Sequence, residues 1–360
     1  MQLEEFNENQ FAADLEATLS NMELLSRENA LHFIEKGYVV VRQAFPRAMA
    51  EEICESTWRW FKDEYDIDRN DPSTWNKRFP GKRIDAYLTY SGGDEVYHLS
   101  TQAPRAFQAQ VDAVGGTHRF LEGEALAWNG ASIANLGVRD DPDWEPAGIK
   151  RSGWHKDGWH FRHFLDSPEQ GLLTVPIYSD IAPRAGGMHL AADSLGPVAR
   201  LMAAHPEGLH PDSIQASGYL VPVLLEQCCE FEELIGAAGD MIIVHPYVLH
   251  RACPNPAAVP RFISNKSPIL GEPMCFNRKH DHYSMVELSI LKALGVNKLD
   301  FQHTREATPI LPPPHRDESE EKEALQALDG EMQVLADAGV KTPAWAEEFN
   351  YRSNAHLHAG

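Results

Sequence analysis

An imidazole and a carboxylate stand two positions apart in Arg151-Ser152-Gly153-Trp154-His155-Lys156-Asp157-Gly158-Trp159-His160. In an extended segment residues i and i+2 share a face, so His155 and Asp157 can reach a single point, as metal ligands must. The third donor must come from elsewhere in the chain. The best placed is His250, which ends the apolar run after Gly239-Asp240 and precedes a turn rich in Pro and Asn. Two histidines and one carboxylate leave three positions open on an octahedral ferrous ion, enough for a bidentate oxo-acid and for dioxygen. His245 is a rival third ligand, although within an apolar run a histidine satisfied by a backbone carbonyl is commoner. The plain alternative for His155 and Asp157 is a polar surface pair between Trp154 and Trp159.

Eleven residues beyond His250 lies Arg261, in Pro260-Arg261-Phe262-Ile263-Ser264-Asn265. Pro254, Asn255 and Pro256 turn the chain between them, so Arg261 opens a new strand that can face the same cavity. Its guanidinium fork suits the far carboxylate of 2-oxoglutarate, because two parallel charge-assisted hydrogen bonds fix angle as well as charge. His160 and Arg162 share a face by alternation, with Phe161 and His163 on the other, and are candidates for a substrate pocket. His189, after Gly186-Gly187, either faces the cavity or packs beside it.

These elements in this order resemble the phytanoyl-CoA dioxygenase family of Fe(II)- and 2-oxoglutarate-dependent oxygenases. The likeness is carried by His155-Lys156-Asp157, by Ile181-Ala182-Pro183-Arg184-Ala185-Gly186-Gly187-Met188-His189, by Gly239-Asp240 through His250, and by Arg261. Glu35-Lys36-Gly37-Tyr38-Val39-Val40-Val41-Arg42 with Phe45-Pro46 matches the family's opening, and the likeness runs over about residues 30–280. It implies an iron held by His155, Asp157 and His250, with Arg261 toward 2-oxoglutarate and dioxygen as the other reactant; Asn135 is either a further contact to the 2-oxoglutarate carboxylate or an ordinary residue approaching the turn at Gly137. The implied activity is hydroxylation, desaturation or cyclisation of a small metabolite, including natural-product intermediates. Two departures stand out: Ala192-Asp193-Ser194-Leu195 replaces the usual Pro-Gly-Ser-His, and Arg251-Ala252 replaces a small Gly-Ser. Asp157 is a carboxylate rather than Ala or Gly, which disfavours the halogenating variant. The alternatives are a cupin-type metalloenzyme that does not use 2-oxoglutarate and a non-catalytic binding protein on an oxygenase fold.

The elements that must position these residues are short. Residues 9–36 have helical spacing, with Ser26 as a cap and Gly37 as a stop, followed by a strand at 38–41 and a helix opened by Pro46. Residues 66–93 form a long excursion rich in Asp, Asn, Pro and Gly, with a strand near Ile84 to Leu88; loops of this length are often functional. A helix is expected over 100–115, and strands at Ala131–Leu136, Leu172–Tyr178, Tyr219–Leu225 and Met241–Val244. One inserted helix lies in 192–205. Short strands without regular helices between them indicate a mainly β fold, a double-stranded β-helix (jelly-roll, cupin-like) core over about 120–275 with flanking helices. The expected organisation is a single oxygenase domain over 1–280. A C-terminal helical extension over 281–360 then contains a helix at Val286–Leu294, a Pro-rich spacer at 311–315, an acidic stretch helical to about Ala338, and a polar tip of disorder-prone composition.

The bulk properties narrow the partners. With 32 basic and 53 acidic side chains the formal net charge is −21, which opposes non-specific binding to nucleic acid or anionic membrane. The acidic start MQLEEFNENQFAADLE lacks the basic and apolar regions of an export signal, and no apolar run is long enough to span a bilayer. Five cysteines do not make a disulfide scaffold, and Cys228-Cys229 has no second pair at zinc-finger spacing. The expectation is a cytoplasmic monomer or homodimer acting on a small molecule.

Overall fold

The computed structural model describes residues 2–75, 87–124, 126–137, 144–215 and 218–346. A short strand β1 (Gln2–Glu5) leads to helix α1 (Glu8–Leu19), whose first turn is held by the Asn7 side chain accepting from the backbone of Asn9 and Gln10. Ser26 opens α2 (Arg27–Lys36) through a capping box with Asn29, and Gly37 ends it in the left-handed region at φ 71°. A side chain there would also strike Val248, since a Cβ would lie 2.3 Å from its Cγ2. Strand β2 (Tyr38–Val41) follows, and Pro46 opens α3 (Arg47–Tyr65), because proline needs no partner for an N–H at a helix start.

Next come β3 (Tyr87–Tyr90), β4 (Tyr97–His98), α4 (Leu99–Gln102) and α5 (Pro104–Val114). The expected helix over 100–115 is therefore broken at Ala103, before Pro104. Strands β5 (Ala127–Trp128), β6 (Ser132–Asn135), β7 (Leu173–Pro176) and β8 (His189–Ala191) precede the inserted helix α6 (Leu195–Ala204). After α7 (Leu220–Leu225) lie β9 (Phe231–Glu233), β10 (Met241–Val244), β11 (His250–Arg251) and β12 (Arg261–Ile263). The chain closes with α8 (Met285–Leu294), β13 (Val296–Asp300) and α9 (Glu318–Asp337). The strand expected near Ile84 begins at Tyr87, with Ile84 outside the described residues, as is the polar tip beyond 346.

Among the described residues all strand pairing is antiparallel. One sheet runs β2-β10-β7 and another β12-β6-β3. Bridges at Thr174–Lys266 and Ile177–Ile263 join the two along β7. A second layer runs β11-β8-β9, and the segment before β7 adds to its edge through a bridge between His155 and His250. Strand β10 is central, and Met241, Ile242, Ile243 and Val244 are all buried, each contributing about 1.5–3 kcal/mol by leaving water.

Two expectations are corrected. The fold is not mainly β: helices hold more residues than strands, no strand exceeds five residues, and no closed barrel forms among the described residues. Much of the chain around the layers is irregular backbone that meets its neighbours through isolated bridges. Tyr219–Leu225 is also not a strand, since Leu220–Leu225 is helical. A short apolar run suits a buried helix as well as a buried strand, and Pro222 sits in the first turn, where its missing N–H costs nothing.

Helix α8 packs on α2, α5 and α6. It is anchored by a capping box at Ser284 and by the buried Glu287, which accepts from Arg119, Arg278 and the backbone of Cys275 and Ser284. Helix α9 is held through Glu331, which accepts from Arg162 at 3.2 Å, the His210 backbone at 2.8 Å and the Tyr219 hydroxyl at 3.3 Å. Among the described residues no helix is long and apolar enough to cross a membrane.

Candidate metal centre

His155 and His250 face each other across a local antiparallel bridge, and each backbone N–H donates to the other's carbonyl at 3.0 Å. The chain around His155 is a loop with one bridge residue rather than the regular strand that alternation assumed. β10 does not continue to His250. The backbone turns at His245-Pro246-Tyr247, so β10 and β11 belong to different sheets, and His250 enters the second layer beside β8.

The donor atoms converge. Asp157 Oδ1 lies 3.3 Å from His155 Nε2 and 3.6 Å from His250 Nε2, and the two imidazole rings are 4.4 Å apart. His155 Nδ1 is 2.8 Å from the Gly153 carbonyl and His250 Nδ1 is 3.1 Å from the Val248 carbonyl. A carbonyl only accepts, so each Nδ1 carries the proton and each Nε2 offers its lone pair toward the centre. This is how backbone carbonyls fix the tautomer of metal-binding histidines. Asn265 Nδ2 donates to the other carboxylate oxygen at 3.4 Å. Without an ion, burial alone would raise the Asp157 carboxyl, but protonated His250 and His155 outweigh it and hold the group well below the usual carboxylate range; a bound cation would take over that role and leave both imidazoles neutral, with Nδ1 protonated and Nε2 free to ligate. The side chains of His155, Asp157 and His250 are 25%, 18% and 7% exposed, so the centre opens on one side. Imidazole, imidazole and carboxylate donors in this protonation state fit a divalent ion of the iron class.

His245 takes no part in this cluster. Its Nδ1 accepts from the Tyr247 backbone at 3.0 Å and its Nε2 donates to the Val286 carbonyl at 3.3 Å. Burial pushes it down to about 3.

Arg261, Asn135 and Tyr87 form one row across β12, β6 and β3, because Asn135 is the register partner of both others. Arg261 is 1% exposed; its Nε donates to the Gly186 carbonyl at 2.8 Å and its Nη1 to that of Ile133 at 2.9 Å. The Tyr87 ring lies 5.6 Å from the guanidinium carbon, and burial lowers the arginine's pKa. Asn135 donates to the Cys253 carbonyl at 3.0 Å, while its Oδ1 is buried without a partner. Gly186, at φ 76°, lets the backbone pass closely, since a Cβ there would sit 3.0 Å from Asn135 Nδ2.

The other candidates are placed differently. His160 is exposed, and its carbonyl accepts from Ile310. Arg162 is buried but donates to the Gly208 carbonyl at 2.7 Å and to Glu331 of α9. Phe161 and His163 stack at 4.8 Å, so they do share a face. His189 is fully buried, and neither ring nitrogen has a partner. Cys228 is buried and Cys229 exposed, both as free thiols. Sequence reasoning passed over Tyr87 and Asn265. Asn265 stands at i+4 from Arg261, on the same face by alternation, which was a usable signal. Tyr87 sits at the edge of an excursion with no legible pairing.

No family model matches the chain, and no curated protein matches it. Among solved structures it is similar to the epimerase SnoN in complex with Fe3+, alpha ketoglutarate and nogalamycin RO. There the identity is 14% over 72% of this chain and 84% of that one, with a TM-score of 0.39. It is also similar to EctD from S. alaskensis with 2-oxoglutarate and 5-hydroxyectoine, at 11% identity over 73% and 81% of the two chains and a TM-score of 0.39. HygX from Streptomyces hygroscopicus with nickel and 2-oxoglutarate bound gives 12% identity over 68% and 86%, with a TM-score of 0.34. Superpositions this loose carry no argument about this chain, whose reading rests on its own residues.

Proposed function

We propose that this protein is an Fe(II)- and 2-oxoglutarate-dependent oxygenase acting on a small organic metabolite. The observation that carries the reading is the convergence of His155 Nε2, His250 Nε2 and Asp157 Oδ1 on one point, with both Nδ1 atoms tied to backbone carbonyls. Iron bound there would supply the activation of dioxygen coupled to oxidation of the oxo-acid. The protein's contribution is orientation and exclusion of competing reactions.

In this reading His155, Asp157 and His250 hold one face of the ion and leave the other to reactants. Asn265 fixes the carboxylate's rotation. Arg261 anchors the far carboxylate of 2-oxoglutarate. Its Nε and one Nη1 hydrogen are spent on carbonyls, which locks the plane of the fork, and the remaining Nη hydrogens would be shared between the Tyr87 hydroxyl and a carboxylate. The unpartnered Asn135 Oδ1 and the edge of Gly186 lie beside that anchor. The resemblance to phytanoyl-CoA dioxygenases supports the same roles, and the triad carboxylate favours oxygenation over halogenation.

The test is consumption of 2-oxoglutarate and oxygen by the iron-loaded protein with a reductant present, first without added substrate. Slow, matched production of succinate that disappears in Asp157→Ala supports the proposal. Iron bound in stoichiometric amount with no 2-oxoglutarate consumption would instead favour a cupin-type metalloenzyme.

A further inference from the structure

A second cluster of metal-ligating side chains lies in the same layer as β11 and takes no part in the proposed reaction. His189 is in the central strand β8, Glu233 is its register partner on β9, and Cys253 lies two residues beyond Arg251, the partner of His189 on β11. Strand alternation puts Arg251, His189 and Glu233 on one face, while His250 and its partner Leu190 take the other. The sheet therefore presents His250 on one side and His189 and Glu233 on the reverse, and Cys253, in the irregular backbone just past β11, brings its thiol to the latter pair.

The ligating atoms of His189, Glu233 and Cys253 all lie within 4.8 Å of one another. A tetrahedral ion with bonds of about 2.1–2.3 Å needs donors roughly 3.6 Å apart, so a closing shift of about 1 Å completes the geometry. His189 supplies an independent sign of a ligand: it is fully buried, and both of its ring nitrogens are unpartnered. An unsatisfied buried imidazole costs about 1–3 kcal/mol, a cost that a bound cation would remove.

We propose that His189, Glu233 and Cys253 form a second divalent-cation site of the zinc class, separate from the iron triad. Thiolate, imidazole and carboxylate are the donor set that a borderline-soft tetrahedral ion selects, and three protein ligands leave one position open. Binding converts the Cys253 thiol, which now donates to the Gly187 carbonyl at 2.7 Å, into a thiolate and releases one proton to solvent. Thiolate and carboxylate then offset the two charges of the ion, so the site passes from one net negative charge to neutral beside Arg251. Glu233 already accepts the Arg184 backbone N–H at 2.9 and 3.1 Å, yet a carboxylate keeps lone pairs for a metal. It is half-buried, which gives an ion its way in. The site adjoins the 2-oxoglutarate anchor, because Gly186 and Gly187 carry the carbonyls for Arg261 and Cys253 in turn.

The proposal does not depend on the oxygenase reading, and cobalt tests it. Co(II) titrated anaerobically into the metal-free chain should reach two ions, one of which gives a thiolate-to-cobalt charge-transfer band in the near ultraviolet. Cys253→Ser should abolish the band and leave one ion bound. Asp157→Ala should lose the other ion and keep the band. Glu233→Gln, isosteric and on an edge strand, should weaken the titration of the band by at least about tenfold; with far-ultraviolet circular dichroism it remains decisive if Cys253→Ser fails to fold. No band at saturating Co(II), an undiminished band in Cys253→Ser, or unchanged affinity in Glu233→Gln would overturn the proposal.

Discussion

At the scale of single residues, the account turns on atoms that sequence order could nominate but not orient. His155, Asp157, His250 and Arg261 stood out because their types and spacing match one chemistry. What only the structure supplies is the pair of carbonyls at Gly153 and Val248 that sets both tautomers. The same carbonyl logic separates His250 from His245, whose two nitrogens are spent on Tyr247 and Val286. Replacing His155, Asp157 or His250 by Ala should remove turnover together with tight Fe(II) binding, measured by metal content after desalting. Wild-type-like activity in any of the three would contradict the assignment. Asn265→Ala should lower iron affinity by about 10- to 100-fold through a loosened Asp157, and unchanged affinity would show that its long 3.4 Å contact does not position the carboxylate. Arg261→Lys keeps the charge but loses the fork, so the apparent Kd for 2-oxoglutarate should rise about tenfold or more while iron binding is spared.

Elements were legible where a local signal decides them. Ser26 and Gly37 bracket α2, and Pro46 opens α3, because caps and stops act within one turn. Tyr219–Leu225 misled because periodicity cannot separate two kinds of buried apolar segment, and the break between β10 and β11 was hidden in a run that reads as continuous. Helix α8 shows what holds such elements in place. Glu287 is 1% exposed and accepts from Arg119 at 3.0 Å and from Arg278 at 2.8 and 2.5 Å. Glu287→Ala would leave two backbone N–H groups, the partly buried Arg278 guanidinium and Nη1 of Arg119 without this acceptor, while Arg119 keeps Asp281 and the His282 carbonyl, so unfolding in urea should show a loss of about 2–4 kcal/mol. A loss below about 1 kcal/mol would mean that water or Asp281 takes over these contacts.

For the molecule as a whole, the order of motifs foretold two antiparallel layers but not how much helix surrounds them, nor that the N-terminal β2 would flank the central β10. Those pairings join residues far apart in the chain, and composition carries no record of them. One whole-molecule property follows from buried neutral histidines. Burial pushes His210 from an ordinary 6.5 to about 4 and His245 to about 3. The unfolded chain therefore binds protons that the folded one refuses, so stability rises with pH across this window and falls as pH drops from about 6.5 toward 4. The urea midpoint should be lower at pH 5 than at pH 7, and His210→Gln should flatten that slope. An unaltered slope would assign the acid sensitivity to other groups.

The most direct measurement of the central claim is anaerobic addition of Fe(II) and then 2-oxoglutarate to the metal-free protein, followed by visible absorption. The account predicts the metal-to-ligand charge-transfer band of a bidentate oxo-acid on ferrous iron, present in the native chain and absent in Asp157→Ala. Iron bound without that band at saturating 2-oxoglutarate, or no iron bound at all, would contradict it.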